Sequence, residues 1–223
     1  MDDTRQRLLD AAGPIFAERG FRATTVREIC TRAEVNLALV NYHFGDKDNL
    51  YIEAVRHAGQ CCMARIPLPT WQAGVSPRQK LHDFVTMFLN RVAVQHVPAW
   101  HSQLIMRELQ QPTRACAEFV REFVQPTAAM LESILFEMIP TGITLRQRKL
   151  IGFSVVGQII HYWSARPVIT LLMGEDEFRK LDVASLSDHI TEFSLAAIDH
   201  WAAGIADKPS NKSSSRKKKK VRS

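Results

Sequence analysis

Apolar positions recur at helical spacing along nearly the whole chain. Leu8, Ala12, Ile15 and Phe16 form one stripe within residues 4–19, and Gly20 closes that pattern as a helix-ending glycine. Gly13-Pro14 lies inside it. An interior proline loses a hydrogen bond and clashes with the preceding turn, at a cost of ~3 kcal/mol, which predicts a kink over residues 10–14. Val26, Ile29, Cys30 and Ala33 then fall at i, i+3, i+4 and i+7, one face of a second helix. Thr25 and Glu28 read as a capping box at its start, in which hydroxyl and carboxylate satisfy orphan N–H groups. Glu34 and Val35 make the turn. Asn36 is suited to cap a third helix over residues 37–43, too short to stand alone.

Asp46 caps a fourth helix over residues 47–65, about 19 residues or roughly 28 Å long. Pro67, Pro69, Gly74 and Pro77 mark a break, with Ser76-Pro77 as cap and first position of a helix that runs to about residue 96. Its stripe is Leu81, Phe84, Val85, Phe88, Leu89 and Val92. Pro98, Pro112 and Pro126 each open a further segment, ending near Gln110, Val124 and Ile139, and Pro140 and Gly142 close the run. Thr144 starts a helix to about Ala165 whose centre is apolar nearly all round, as in a helix covered on both sides. The last helix, residues 187–204, aligns Ile190, Phe193, Ser194, Ala197, Ile198 and Trp201. No segment alternates like a strand, so the predicted fold is all-α.

Two short helices joined by so tight a turn predict a helix-turn-helix. Its second helix would enter a major groove, presenting Asn36, Leu37, Ala38, Asn41 and Tyr42 while Val40 and Phe44 anchor it inward. The pattern G-F-x-x-T-T-V-R-E-I, then V-N, then N-Y-H-F-G-D-K-D-N-L-Y resembles the TetR family of bacterial one-component repressors over about residues 4–55. The N-Y-H-F-G-D-K variant, with R-E-L-Q-Q-P-T and S-V-V-G-Q farther along, is similar to the CecR-like branch. The resemblance implies that Arg27, Asn36, Leu37, Ala38 and Asn41 face bases, while Thr25, Tyr42, His43 and Lys47 hold phosphates. It also implies a three-helix DNA-binding domain over residues 1–50 and a helical effector-binding and dimerisation domain over residues 51–206. The fourth helix would join the two, and the two final long helices of each subunit would pair into a four-helix dimer interface.

Two residues depart from the family pattern. Asn41 stands where the family usually has Tyr, and an Asn amide pairs with the N7 and N6 of adenine. With Leu37 packed on a thymine methyl, it favours an A/T-containing half-site. Glu34 stands where a turn Gly is usual, a non-Gly residue at a position that calls for positive φ.

Composition narrows this picture. No apolar run approaches the ~20 residues of a membrane span. The acidic, then amphipathic start is unlike a signal peptide, so a soluble cytoplasmic protein is expected. Cys30, Cys61, Cys62 and Cys116 lack paired C-x-x-C spacing, so reduced thiols are expected and neither a disulfide framework nor a metal site. The net charge of +6 comes from the tail: residues 207–223 hold eight basic side chains and one acidic, residues 1–206 hold 21 and 22. Residues 1–50 hold seven basic and eight acidic, so DNA binding rests on motif geometry rather than bulk charge. The tail, with no core-forming residues, is expected to be disordered. It would add non-specific phosphate attraction or serve as a solvated solubility tail. Its composition also fits a eukaryotic import signal, which conflicts with a bacterial family.

A second domain this large implies an effector. Between residues 79 and 164, Met87, Phe88, Met106, Phe119, Phe123 and Met130 supply apolar walls, and Arg91, His101, Arg107, Gln158 and His161 a few polar groups. For any single one of them, ordinary core or surface packing is the favoured reading. The expected function is a ligand-responsive repressor that binds a pseudo-palindromic operator as a homodimer, its recognition helices ~34 to 36 Å apart. An enzyme using His101, Glu108 or His161 is the first rival. No nucleophile-base-orienter series, Gly-rich phosphate loop or H-E-x-x-H supports it, and no catalytic site or cofactor is expected. The second rival is a helical protein-interaction module without specific DNA binding.

Overall fold

The computed structural model describes residues 3–92, 98–139 and 143–206, and among them all regular structure is helical. The helices are α1 (Asp3–Ala23), α2 (Val26–Ala33), α3 (Leu37–Phe44), α4 (Lys47–Ala64), α5 (Pro77–Val92), α6 (Ala99–Gln110), α7 (Arg114–Phe119), α8 (Gln125–Met138), α9 (Leu145–Ser164), α10 (Arg166–Met173), α11 (Glu175–Phe178) and α12 (Val183–Ala206). The expected extension of α5 to residue 96, the Pro140 and Gly142 stop, and the basic tail lie outside the described residues.

The all-α reading holds, with local differences. Within α1 the residue with non-helical backbone is Gly20 (φ 80°, ψ 171°), so the bend falls there and not over residues 10–14; Pro14 is carried inside the helix. Gly13 has a packing reason, because a Cβ there would overlap the Trp100 ring. The Thr25 hydroxyl caps α2 by accepting from the Glu28 N–H at 3.3 Å. The Glu28 carboxylate instead pairs with Arg19 at 2.5 Å, so half of the expected capping box forms there. A complete one forms at α9, between Thr144 and Gln147.

Pro126 opens no separate helix. α7 runs through a π-helical turn (Val120–Val124) directly into α8, with Pro126 in the first turn of α8. The widened turn just before Pro126 relieves the clash its ring would make with the carbonyl four residues back. Helices α10 and α11 were not anticipated: they are short, and of α10 only Ile169 is buried, so no stripe betrays them. Their signals were Pro167 in the first turn and Gly174 (φ 84°) at the stop.

Two cores result. The first gathers Leu8, Phe16, Ile29, Val40, Phe44, Leu50 and Tyr51 from α1–α4, and continues into Leu104, Ala115 and Phe119 of α6 and α7. The second joins Leu81 and Phe84 of α5, Leu131 and Leu135 of α8, Val155 and Ile159 of α9, and Ile190 and Ile198 of α12. Each fully buried Leu, Ile or Phe contributes about 1.5–3 kcal/mol. The two cores therefore fix α3 below and α9 with α12 above.

Glu34 occupies the left-handed region (φ 54°, ψ 47°), and Val35 N–H donates to Cys30 O at 3.0 Å to close α2. Replacing it with glycine removes the Cβ penalty of that conformation. Glu34→Gly should raise unfolding stability by about 0.5–1 kcal/mol, read as a higher urea midpoint at constant slope, and Glu34→Val should lower it.

Candidate nucleic-acid interface

Helix α3 is held from beneath by Val40 (0% exposed) and Phe44 (6%), which meet Ile29, Cys30 and Ala33 of α2 in the first core. Arg7 secures the turn by donating to the carbonyl of Ala33 at 2.6 Å, one of the α2 carbonyls with no helical partner. With that face fixed, Arg27, Asn36, Leu37, Ala38, Asn41 and Tyr42 all point outward and are exposed, as is Thr25, and Tyr42 reaches 81%. His43 and Lys47 are half-buried at the edge. An exposed tyrosine beside outward amides and small side chains forms a surface of the size and chemistry that a groove accepts.

Several of these groups already have work within the fold. Asn36 Oδ1 accepts from the Ala38 N–H at 3.0 Å, which caps α3 and leaves its amide nitrogen as donor. The Lys47 ammonium sits 4.5 Å above the centre of the Phe21 ring. The His43 ring meets Tyr42 edge-on at 4.9 Å. Asp46 caps α4 by accepting from Asn49 N–H at 2.8 Å, setting the start of the helix that leads away from this surface.

The surface is tied to the rest of the molecule through α6. Arg107 Nε donates to Ala17 O at 3.1 Å and Nη2 to Glu18 O at 2.9 Å, so one guanidinium binds the last turns of α1 ahead of Gly20. The neighbouring Glu108 is fully buried. Its carboxylate accepts from the Tyr51 hydroxyl of α4 at 2.8 Å, and from the backbone N–H and hydroxyl of Thr113 at 2.7 and 3.0 Å. Burial, with Glu108 beside it, pushes the Tyr51 hydroxyl well above the usual phenol range and keeps it a donor. A cleft of about 380 Å³ opens between α1, α3, α4 and α7, lined by Arg5, His43, Phe44, Asn49, Ile52, Glu53, Arg56 and Glu118. Arg56 bridges it by bonding to Glu53, Glu118 (2.7 Å) and Glu122 (3.1 Å).

The residues expected to line an effector pocket are spread over both cores and the surface. Met87 is buried in the second core, with Phe88 and Met130 packed against it. Phe119 and Phe123 belong to the first, where the Phe123 ring lies against Gly59. Met106 is half-buried on α6. Arg91 donates to Ile66 O at 2.8 Å and to Thr127 Oγ1 at 3.2 Å, and burial lowers its pKa. Arg107 is the α1 clamp just described. Gln158 bridges α9 to Ser194 of α12 at 3.4 Å, and His161 is exposed.

His101 stands apart from these. It is 4% exposed, and neither ring nitrogen has a hydrogen-bond partner of proper geometry among the described residues. Burial, then His57, push its pKa down to about 4, against weaker opposing effects of Asp10 and the nearby Pro98 carbonyl. The ring is neutral at physiological pH. A buried donor left unmatched in this way costs about 1–3 kcal/mol.

Residues 8–54, which span α2, α3 and this surface, match the family model of bacterial regulatory proteins, tetR family. Residues 77–198, more than half of the chain, match the C-terminal domain of the HTH-type transcriptional dual regulator CecR. The chain belongs to the TetR family. Its C-terminal domain is of the CecR type. Among TetR relatives, the transcriptional repressor Rv3405c of Mycobacterium tuberculosis is 43% identical over 58 residues, 26% of this chain and 31% of that protein. The repressor KstR2 of Rhodococcus jostii is 44% identical over 52 residues, 23% of this chain and 26% of that protein. The match thus spans only a quarter to a third of the length of these relatives.

The TetR fold as a whole is shared more widely. A TetR-like transcriptional regulator from Rhodococcus sp. RHA1 superposes with a TM-score of 0.56 at 22% identity, covering 93% of this chain and 98% of that one. HlyIIR, a hemolysin II transcriptional regulator, does so with a TM-score of 0.56 at 20% identity, covering 86% and 97%.

Arg107→Ala should strip the last turns of α1 of two charged donors. A loss of about 1–3 kcal/mol is expected in urea unfolding, with faster amide exchange across α1–α3. Arg107→Lys should not restore it, because an ammonium cannot span both carbonyls as a fork does.

Proposed function

We propose that this chain is a DNA-binding transcriptional regulator, a ligand-responsive repressor that binds a pseudo-palindromic operator as a homodimer in the cytoplasm. The observation that carries the reading is the outward face of α3, with Asn36, Leu37, Ala38, Asn41 and Tyr42 exposed over a buried Val40–Phe44 anchor. Asn41 reads a base, an adenine in an A/T-containing half-site. Arg27 reaches a neighbouring base edge, and Thr25, Tyr42, His43 and Lys47 hold phosphates on either side. Residues 1–50 form the reading head and residues 51–206 the effector and dimerisation body. No described helix is long and apolar enough to cross a membrane.

Dimer formation is supported by what α9 and α12 leave uncovered in the single chain. Leu150 (51% exposed), Phe153 (68%), Gly157 and His161 follow one face of α9; Phe193 (62%), Ala197 and Trp201 follow one face of α12. Two such helices from each subunit make a four-helix interface and fix the separation of the recognition helices. An effector then acts by binding the two dimer states unequally. Similarity to proteins named repressors supports the direction of control.

Gel shifts on the DNA flanking the chain's own gene test this. Asn41→Ala should weaken specific binding by about 1–3 kcal/mol and relax preference at one base pair of each half-site. Lys47→Ala should weaken binding evenly across sequences and flatten the salt dependence by about one phosphate contact. Unchanged affinity in both variants would remove α3 from the interface.

A further inference from the structure

The geometry points to a binding site for a thiophilic transition-metal ion, Zn²⁺ by donor set, made by His57 and Cys61 of α4 and His101 of α6. Their donor atoms all lie within 4.8 Å of one another. His57 and Cys61 stand one turn apart on the same face of α4, with Cys61 Sγ 3.7 Å from His57 Nε2. Around a tetrahedral zinc with bonds of ~2.0–2.1 Å to nitrogen and ~2.3 Å to sulfur, neighbouring donors lie ~3.3–3.6 Å apart. The α4 pair, at 3.7 Å, is within about 0.1 Å of that spacing. His101 needs to approach by only about 1 Å, within reach of a side-chain rotation or a small shift of α6.

The surroundings fit an ion better than they fit an apo core. His101 is buried with both ring nitrogens unpartnered among the described residues, and its neighbour across the helix gap is the His57–Cys61 pair. Trp100 covers the site, its ring centre 3.8 Å from that of His101 and 6.3 Å from that of His57, and Gly13 leaves room for that indole. Asp10 lies near enough to act electrostatically on both Cys61 and His101, supplying negative charge outside the donor set. Two imidazoles and a thiol exclude hard cations such as Mg²⁺ and Ca²⁺, which take oxygen donors, and suit zinc or Cu⁺. On binding, the Cys61 thiol gives its proton to solvent and its sulfur to the metal, and the fourth position stays open to water or an anion.

The site crosses from α4 to α6, the same two helices that Tyr51 and Glu108 join. An ion there sets their spacing. A resulting change in operator affinity rests on the function proposed above; the metal site does not.

The test is an absorption titration of the reduced, metal-free full chain with Co²⁺ in the absence of DNA. One equivalent should produce visible d–d bands of a tetrahedral site and a near-ultraviolet thiolate-to-cobalt band, both bleached by Zn²⁺. Cys61→Ser should lose the thiolate band, and Cys62→Ser should keep it. His101→Gln should weaken binding by more than the ~10–100-fold that loss of an outer-shell partner costs; His57→Gln, on a half-buried position, gives the same readout if the buried variant does not fold. Absence of the thiolate band at saturating Co²⁺, or its survival in Cys61→Ser, overturns the assignment.

Discussion

Glu108 is the constraint on which the arrangement rests, because a carboxylate with no exposed surface has to be met by donors from the protein itself. Tyr51 supplies one from α4, and Thr113 two from the start of α7. A buried charge that loses a partner costs several kcal/mol, so these bonds fix the registry of three helices even where their net contribution to stability is small. Tyr51 in turn sits edge-on to Phe16 and Phe21 of α1, at 4.9 and 5.1 Å. The polar network and the first core are therefore one object.

Helix α6 acts on both sides of that object. Glu108 faces α4 and α7, while the adjacent Arg107 holds the last turns of α1. The first core accordingly extends past residue 50 into Leu104, Ala115 and Phe119. A displacement of α6 is felt at α1 and α4 together, the two helices that flank α2 and α3. In the function proposed above, an effector would have to act on α6 or on the helices packed against it to reach α2 and α3, and would have to bind two positions of α6 unequally.

The helix-turn-helix was legible in the sequence because its signals are local. A cap at Thr25, a stripe on Val26–Ala33, a cap at Asn36 and a positive-φ turn at Glu34 are each set by neighbours a few residues apart, and they agree with one another. Proline punctuation placed α5 and α6 for the same reason. What was not legible depends on residues brought together from afar. The Arg19–Glu28 pair took the carboxylate that the capping box needed, and a π-helical turn absorbed Pro126 where a break was expected. Met87, Arg107 and His161 share a composition but lie in a core, at a clamp and on the surface. Tyr51 with Glu108, and His57 with Cys61 and His101, are separated by 40 residues or more across their helices, and no periodicity announces such pairs.

A nuclease-protection footprint on the DNA flanking the chain's own gene measures the central claim, run with the full chain and with a variant lacking residues 207–223 over a range of salt. Since residues 1–50 carry no excess of basic side chains, the account predicts protection of an inverted repeat, with half-sites about one helical turn or a multiple of it apart, that survives removal of the tail. Unselective protection that disappears with the tail would contradict it, leaving α3 without a reading role and the chain as a helical interaction module.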